Sequence, residues 1–409
     1  MKYVVVLGDG MADEPIDVLG NKTPLQVAKK DNINYLAKKG EVGLVKTIPD
    51  GLSPGSDTAN LSVLGYNPKK YYTGRSPLEA LSIGAEMQDN DVSFRCNFVT
   101  LTEENVYADK SIIDHSADEI TTQEADELIK YLEQYLGNNI IKFYTGTSYR
   151  HAIIWNGGSV DVNLTPPHDI LEKNIKNYLP QGKNSERITQ MMELSYKLLK
   201  DHPINIKRKE KGLRPANSIW IWGEGTKPNL TSFYEKYKKK GTMISAVDLL
   251  KGIAIAADMK NVNVEGATGN IDTNFEGKAK AAIKALKSGE DFVYVHLEAP
   301  DECGHRGELD NKIKSIELID SKVVKYIKEE LDKFGEDYKI MVLPDHPTPL
   351  AIRTHTNKAV PYLIYESYKE KESNIDYDEQ SAKTTNNVFL KGHELMDYFL
   401  NNLKEETSC

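Results

Sequence analysis

The sequence has little cysteine. Cys96, Cys303 and Cys409 are scattered along 409 residues without CxxC spacing, which excludes a disulfide framework or a structural zinc site and fits a reducing cytoplasm. Long apolar runs are missing as well. The opening MKYVVVLGDGMADE carries one lysine and a short apolar run that stops at Gly8, too short for a signal-peptide core or a membrane span. A soluble, cytoplasmic protein with no membrane partner is expected. Positive charge is not in excess: Lys plus Arg total 52 against 61 for Asp plus Glu, a formal net charge of −9. No basic stretch dominates, which argues against nucleic acid as a partner. An acidic chain that binds an anionic substrate must gather positive charge locally, through metal ions or clustered arginines.

The chain is long enough for two domains, or for one domain carrying a large insertion. Tyr3 to Leu7 is a short, mostly β-branched run that breaks into Gly8-Asp9-Gly10, which reads as a buried parallel strand and a tight loop. The pattern returns late: DFVYVHL runs into EAPDECGH, YKIMVL runs into PDHP, and SIWIW at Ser218 to Trp222 runs into GEGTKP. Helical stretches over Phe275 to Ser288 and Asn311 to Phe334 lie between, and such alternation implies an α/β fold with a doubly wound, mostly parallel sheet. Ligand sites in these sheets lie at the carboxyl ends of strands, so Asp9, Asp301 and Asp345 are expected on one edge. The middle of the chain is more polar, with turn clusters and amphipathic helices near Thr122 to Leu136 and Arg187 to Lys200. It reads as an inserted α+β cap over residues 85–211, leaving 1–80 and 215–409 as a discontinuous core. The tail after Leu400 is expected to fray.

Asp301 and His305 stand four apart in APDECGH, on one face if this turn is helical, where they could share a metal ion or form a surface ion pair. Asp345-His346 directly follows another strand, and His355 lies nearby in RTHT. Satisfied core histidines do not explain this gathering at strand ends. Mixed carboxylate and imidazole ligands suit Mn²⁺, Zn²⁺ or Mg²⁺. Ser56, in PGSDTAN before a short helix, reads either as an N-cap or as a nucleophile whose phosphate the helix N-terminus would stabilise. Cys303, two residues from Asp301, should point away on a helix and is a bystander.

In order along the chain, Asp9 after the first strand, GSDTAN, PDECGH, PDH and HTNKAVP resemble the cofactor-independent phosphoglycerate mutases of the alkaline phosphatase superfamily, in their shorter archaeal-type form. YYTGRSPLEA, SFRCNFVTL and VEGATG extend the likeness over nearly the whole chain. The resemblance implies an alkaline-phosphatase-like fold and interconversion of 3-phosphoglycerate and 2-phosphoglycerate, without bisphosphoglycerate, through a phosphoserine at Ser56. It also implies two divalent cations, Mn²⁺ foremost, with Mg²⁺, Zn²⁺ or Co²⁺ as alternatives. One would be held by Asp301, His305 and His355, the other by Asp9, Asp345, His346 and the Ser56 oxygen. The pattern departs at Pro347-Thr348-Pro349, where the long bacterial forms have a glycine and an asparagine, but the ligands stay intact.

A mutase must keep water from the phosphoserine while glycerate turns over, a task the cap would serve. A small phosphorylated carboxylate needs planar, bidentate donors. Arg75 in TGRSP, Arg95 in SFRCN and Arg150 beside His151 in SYRHA are the candidates, and Lys227 in GEGTKP could meet the transferring phosphate. His115 in DHSAD and His168 in PPHD are candidate proton shuttles. The rival readings keep the site and change the reaction: a homoserine kinase of the same superfamily, which the lack of a GxxxxGK[ST] loop opposes only mildly, or a metal-dependent phosphatase. A sulfatase does not fit, since Ser56 stands in no CxPxR signature.

Overall fold

The computed structural model describes residues 1–401; residues 402–409, where the frayed tail is expected, lie outside the described residues. The chain divides into two compact units, one made of Met1–Tyr72 with the chain from Asn229 onward, the other of Thr73–Pro228.

The first unit is built on an eight-stranded sheet. Its spatial order is Lys260–Asn261, Gly241–Ile244, Phe292–Leu297, Lys2–Gly8, Tyr338–Leu343, Val360–Glu366, Glu41–Val45 and Val388–Phe389. The first five run parallel, and Val360–Glu366 runs against both its neighbours. Lys2–Gly8 is central and buried beyond its first residue, which is why KYVVVLG reads as a continuous apolar run rather than an alternation. Val4, Val6, Ile340 and Val342 pack against Ala279, Ile283 and Leu286 of the helix Phe275–Lys287 and against Ile316, Val323 and Ile327. Each Val, Ile or Leu side chain among them contributes about 1.5–3 kcal/mol on burial.

The helix expected over Asn311 to Phe334 is interrupted. Leu309–Leu318 passes into a π-helical segment, Ile319–Val324, before Lys325–Leu331 resumes α geometry. The wider turn carries Asp320 into the interior, where it accepts from the Ile33 N–H and from Asn32 Nδ2, both at 2.7 Å. The Ile33 bond satisfies one open N–H of the first turn of the helix Asp31–Lys39, whose N-cap residue Lys30 makes no side-chain capping bond.

The second unit holds an antiparallel sheet. Asp91–Leu101 pairs with Ile112–Asp114, Arg150–Asn156 and Ser218–Thr226, and Ile141–Tyr144 extends it. Leu128, Ile129 and Leu132 of Thr122–Leu136, with Ile188, Met191 and Met192 of Ser185–Leu199, pack on Phe94, Phe98, Ile219 and Trp220. The SIWIW strand therefore does not join the parallel sheet, as its likeness to the other strand ends suggested. An apolar run shows that a strand is buried on both faces but does not name its partner.

Candidate active site

The register of the central strand sets the site. Gly8 lies opposite Leu297 and Leu7 opposite Leu343, so the chain leaves three neighbouring strands side by side, and Asp9, Asp301 and Asp345 are all buried there. Gly10 turns the chain at φ +60°, a conformation glycine adopts without strain. Its N–H donates to Asp345 Oδ1 at 3.2 Å, and a Cβ at Gly10 would lie 2.6 Å from Asp301 Oδ1. The turn thus sits tight against both later carboxylates.

The helix Ala299–Arg306, entered through Pro300, puts Asp301 and His305 on one face, with His305 Nε2 3.3 Å from Asp301 Oδ2. His305 Nδ1 donates to the Arg353 carbonyl at 3.0 Å, which turns Nε2 inward. His355 Nε2 lies 2.9 Å from His305 Nε2 and 3.3 Å from Asp301 Oδ1. His346 stacks beside His355 with ring centroids 3.9 Å apart, and its Nε2 is 3.4 Å from both Asp9 Oδ1 and Asp345 Oδ2.

Ser56 Oγ completes the cluster, 3.1 Å from His346 Nε2. Ser56 is the first residue of the helix Ser56–Val63, while Gly55 holds the N-cap position without a side-chain bond, so the hydroxyl is not used as a cap. One turn on, Asn60 Nδ2 donates to the Ser56 carbonyl at 2.8 Å and to Asp345 Oδ2 at 2.9 Å. Tyr294 in turn donates to Asn60 Oδ1 at 2.6 Å. Cys303 is buried, and burial pushes its thiol up to about 11.

Three carboxylates packed this closely require positive charge. Burial, then the fields of Asp345 and Asp301, push Asp9 well above the usual carboxylate range. Burial acts in the same direction on Asp301, but hydrogen bonds from His305 and His355 outweigh it and hold that carboxyl well below its usual range. Paired with Asp301, His305 rises to about 9. Asp9 Oδ1 is buried and, among the described residues, accepts no hydrogen bond. Two sets of ligand atoms, from Asp9, Asp345 and His346 and from Asp301, His346 and His355, each fall within 4.8 Å of one another. The separations of 3.3–3.4 Å that link His346 to Asp9 and Asp345, and His355 to Asp301, lie within the reach of two ligand bonds of about 2.0–2.2 Å to one ion. The donor types and the orphaned Asp9 oxygen fit divalent cations.

Within the second unit, the three arginines singled out above converge on Glu79. Arg75 Nε and Arg95 Nε bind its two oxygens at 2.7 and 2.8 Å, and Arg150 adds its field. Burial opposes the Glu79 charge, yet Arg95, Arg75 and Arg150 hold the carboxyl below its usual range. The Arg95 guanidinium lies 4.1 Å over the Trp222 ring, and His168 stands edge-on to that ring and to His115. Lys227 makes a different contact, pairing with Asp89 at 3.0 Å. His151 is buried edge-on to Phe98 and accepts from the Gly146 N–H at 3.1 Å.

The family model for 2,3-bisphosphoglycerate-independent phosphoglycerate mutase matches residues 37–205. Over 398 residues the chain is 48% identical to the protein of that name from Methanosarcina mazei, covering 97% of this chain and 98% of that one. The chain belongs to this family. It is also 46% identical over 401 residues to a probable member from Geobacter sulfurreducens, covering 98% of this chain and 100% of that one. Among solved structures, the cofactor-independent phosphoglycerate mutase of Thermoplasma acidophilum is similar with a TM-score of 0.68 and 26% identity, over 98% of this chain and 100% of that one. A Pyrococcus horikoshii protein is similar with a TM-score of 0.81 and 29% identity, over 100% and 99% of the two chains.

In this member of the mutase family, several side chains at the site escaped the sequence reading. His296 binds Asp9 Oδ2 through Nε2 at 2.9 Å, and burial drives its imidazole down to about 3. Its signal was faint: one polar letter inside the apolar run DFVYVHL. The Thr348 hydroxyl bridges Asp301 Oδ1 and His346 Nδ1, in the very segment where the motif departs from the long bacterial forms. Asn60 stood inside GSDTAN without a role, and Glu79, four residues after Arg75, had the spacing of a helical ion pair.

Proposed function

We infer that the protein interconverts 3-phosphoglycerate and 2-phosphoglycerate through a phosphoserine at Ser56. The observation that carries the assignment is the Ser56 hydroxyl, 3.1 Å from His346 Nε2 and at the mouth of a helix, inside the Asp and His cluster. Ser56 takes the phosphoryl group from one glycerate hydroxyl and returns it to the adjacent one, so glycerate is retained between the two transfers. The positive end of the helix Ser56–Val63 favours a phosphate on Ser56, although its Thr58 N–H already donates to Asp57 Oδ1 at 2.8 Å. Asn60 fixes the first turn of that helix to Asp345.

Asp9, Asp345, His346 and the Ser56 oxygen are assigned one cation, and Asp301, His305 and His355 the other. When bound, such cations lower the pKa of the serine hydroxyl and neutralise the phosphoryl oxygens. Mn²⁺ is proposed as the working ion on the family resemblance, since the mixed oxygen and imidazole donor set suits Mn²⁺, Zn²⁺ and Mg²⁺ alike. The guanidinium cluster of Arg75, Arg95 and Arg150 is assigned the substrate carboxylate on its own chemistry. His115 and His168, beside that cluster, are the proton-shuttle candidates. A cytoplasmic enzyme fits these assignments, and among the described residues no helix is long and apolar enough to cross a membrane.

The test is a product assay on metal-stripped protein with 3-phosphoglycerate and stepwise return of Mn²⁺, Mg²⁺, Zn²⁺ or Co²⁺. The expected result is 2-phosphoglycerate, with Mn²⁺ most effective. Homoserine phosphate formed from homoserine and ATP, with no mutase turnover, would replace this reading by the kinase. Inorganic phosphate released faster than isomerisation would replace it by a phosphatase.

A further inference from the structure

His296 lies wholly inside the sheet, opposite Leu7 of the central strand. Its Nε2 is 2.9 Å from Asp9 Oδ2, and its Nδ1 is 3.1 Å from Ser245 Oγ. Ser245 follows the neighbouring strand Gly241–Ile244, and its oxygen already accepts the Val247 N–H at 3.0 Å. The serine's own proton is then available to Nδ1. That places the ring N–H on Nε2, where the Asp9 carboxylate is the acceptor. Asp9 is gripped at one oxygen only. The other, Oδ1, is buried, accepts no hydrogen bond among the described residues and sits 3.4 Å from His346 Nε2. Lys278 Nζ donates to the His296 carbonyl at 3.0 Å, so the backbone beneath the imidazole is pinned as well.

We propose that Ser245 and His296 are positioning residues, a relay that holds the Asp9 carboxylate with Oδ1 turned toward the cation assigned to Asp9, Asp345 and His346. The inference rests on that metal assignment. Without the relay, the carboxylate can rotate, and the ion must pay the cost of ordering it. Outer partners of metal ligands typically contribute about 10–100-fold in affinity. A histidine that only filled the core would alter melting temperature and leave metal affinity alone.

The experiment uses the full-length protein, stripped of metal and titrated with Mn²⁺ by calorimetry, as wild type, His296→Leu, His296→Gln and Ser245→Ala. Wild type is expected to show two sites. His296→Leu should weaken one of them by about 10–100-fold, leave the other unchanged, and regain turnover as Mn²⁺ is raised. His296→Gln should stay close to wild type, because its amide can donate to the same oxygen, and Ser245→Ala should fall between. A folded His296→Leu with both affinities unchanged would overturn the proposal, as would a His296→Gln as weak as the leucine variant. If His296→Leu does not fold, Ser245→Ala decides, and unchanged affinity there overturns the relay. Wild type that binds no Mn²⁺ would instead remove the metal assignment itself.

Discussion

The Ser56 hydroxyl has His346 rather than a backbone N–H as its neighbour, so its loss should cost chemistry and little stability. Ser56→Ala is expected to lower turnover by about 10³-fold or more and to abolish phosphoprotein formation with 3-phosphoglycerate, with melting temperature nearly unchanged. His151 makes the opposite prediction. Burial drives its imidazole down to about 3, below the roughly 6.5 of an unfolded chain. Between those values the unfolded chain takes up a proton that the folded one refuses. Its share of stability is therefore whole above pH 6.5 and is lost at about 1.4 kcal/mol per pH unit as pH falls toward 3. Denaturant titrations across that range should show the loss in wild type and a flatter profile in His151→Gln. At this scale, the sequence exposed the acidic residues that end apolar runs and meet at one sheet edge, such as Asp9 and Asp345. It hid His296, because a single imidazole inside a strand looks the same whether it supports a carboxylate or fills space.

Among the elements, the helix Leu309–Leu318 acts as a clamp. Lys312 Nζ, fully buried, binds Asp13 Oδ2 at 2.8 Å and the Thr348 carbonyl at 2.7 Å, tying the loop after the central strand to the loop that carries His346. Lys312→Met would leave Asp13 buried and unpaired. The expected loss is about 3–5 kcal/mol, read as a lower denaturant midpoint. Helix bounds were legible where capping chemistry marks them: Thr122–Leu136 is entered through Thr121, whose side chain accepts from the Glu124 N–H. The π segment Ile319–Val324 was not, since it exists to bury Asp320 against a helix distant in sequence, and no local pattern announces such a contact. Ser218–Thr226 was placed in the wrong sheet for a related reason, as its partner Asp91–Leu101 is also remote.

For the molecule as a whole, the site concentrates carboxylates that only cations or protons can balance, so stability and activity should both follow metal. Mn²⁺ at about 100 times its dissociation constant should add about 2.7 kcal/mol per occupied site, seen as a rise in melting temperature of stripped protein, while a chelator should abolish turnover. The alternation of strands and helices was readable at this scale because each core strand ends in a polar turn. The order of those strands has a further outcome. Among the described residues, Lys2–Gly8 pairs with Phe292–Leu297 and Tyr338–Leu343, both far along the chain. During translation, this strand must wait, apolar and without these neighbours, while the whole of Thr73–Pro228 is made and can fold ahead of it. The cluster of Asp9, Ser56, Asp301 and Asp345 thus cannot gather until the loop after Tyr338–Leu343 has been made.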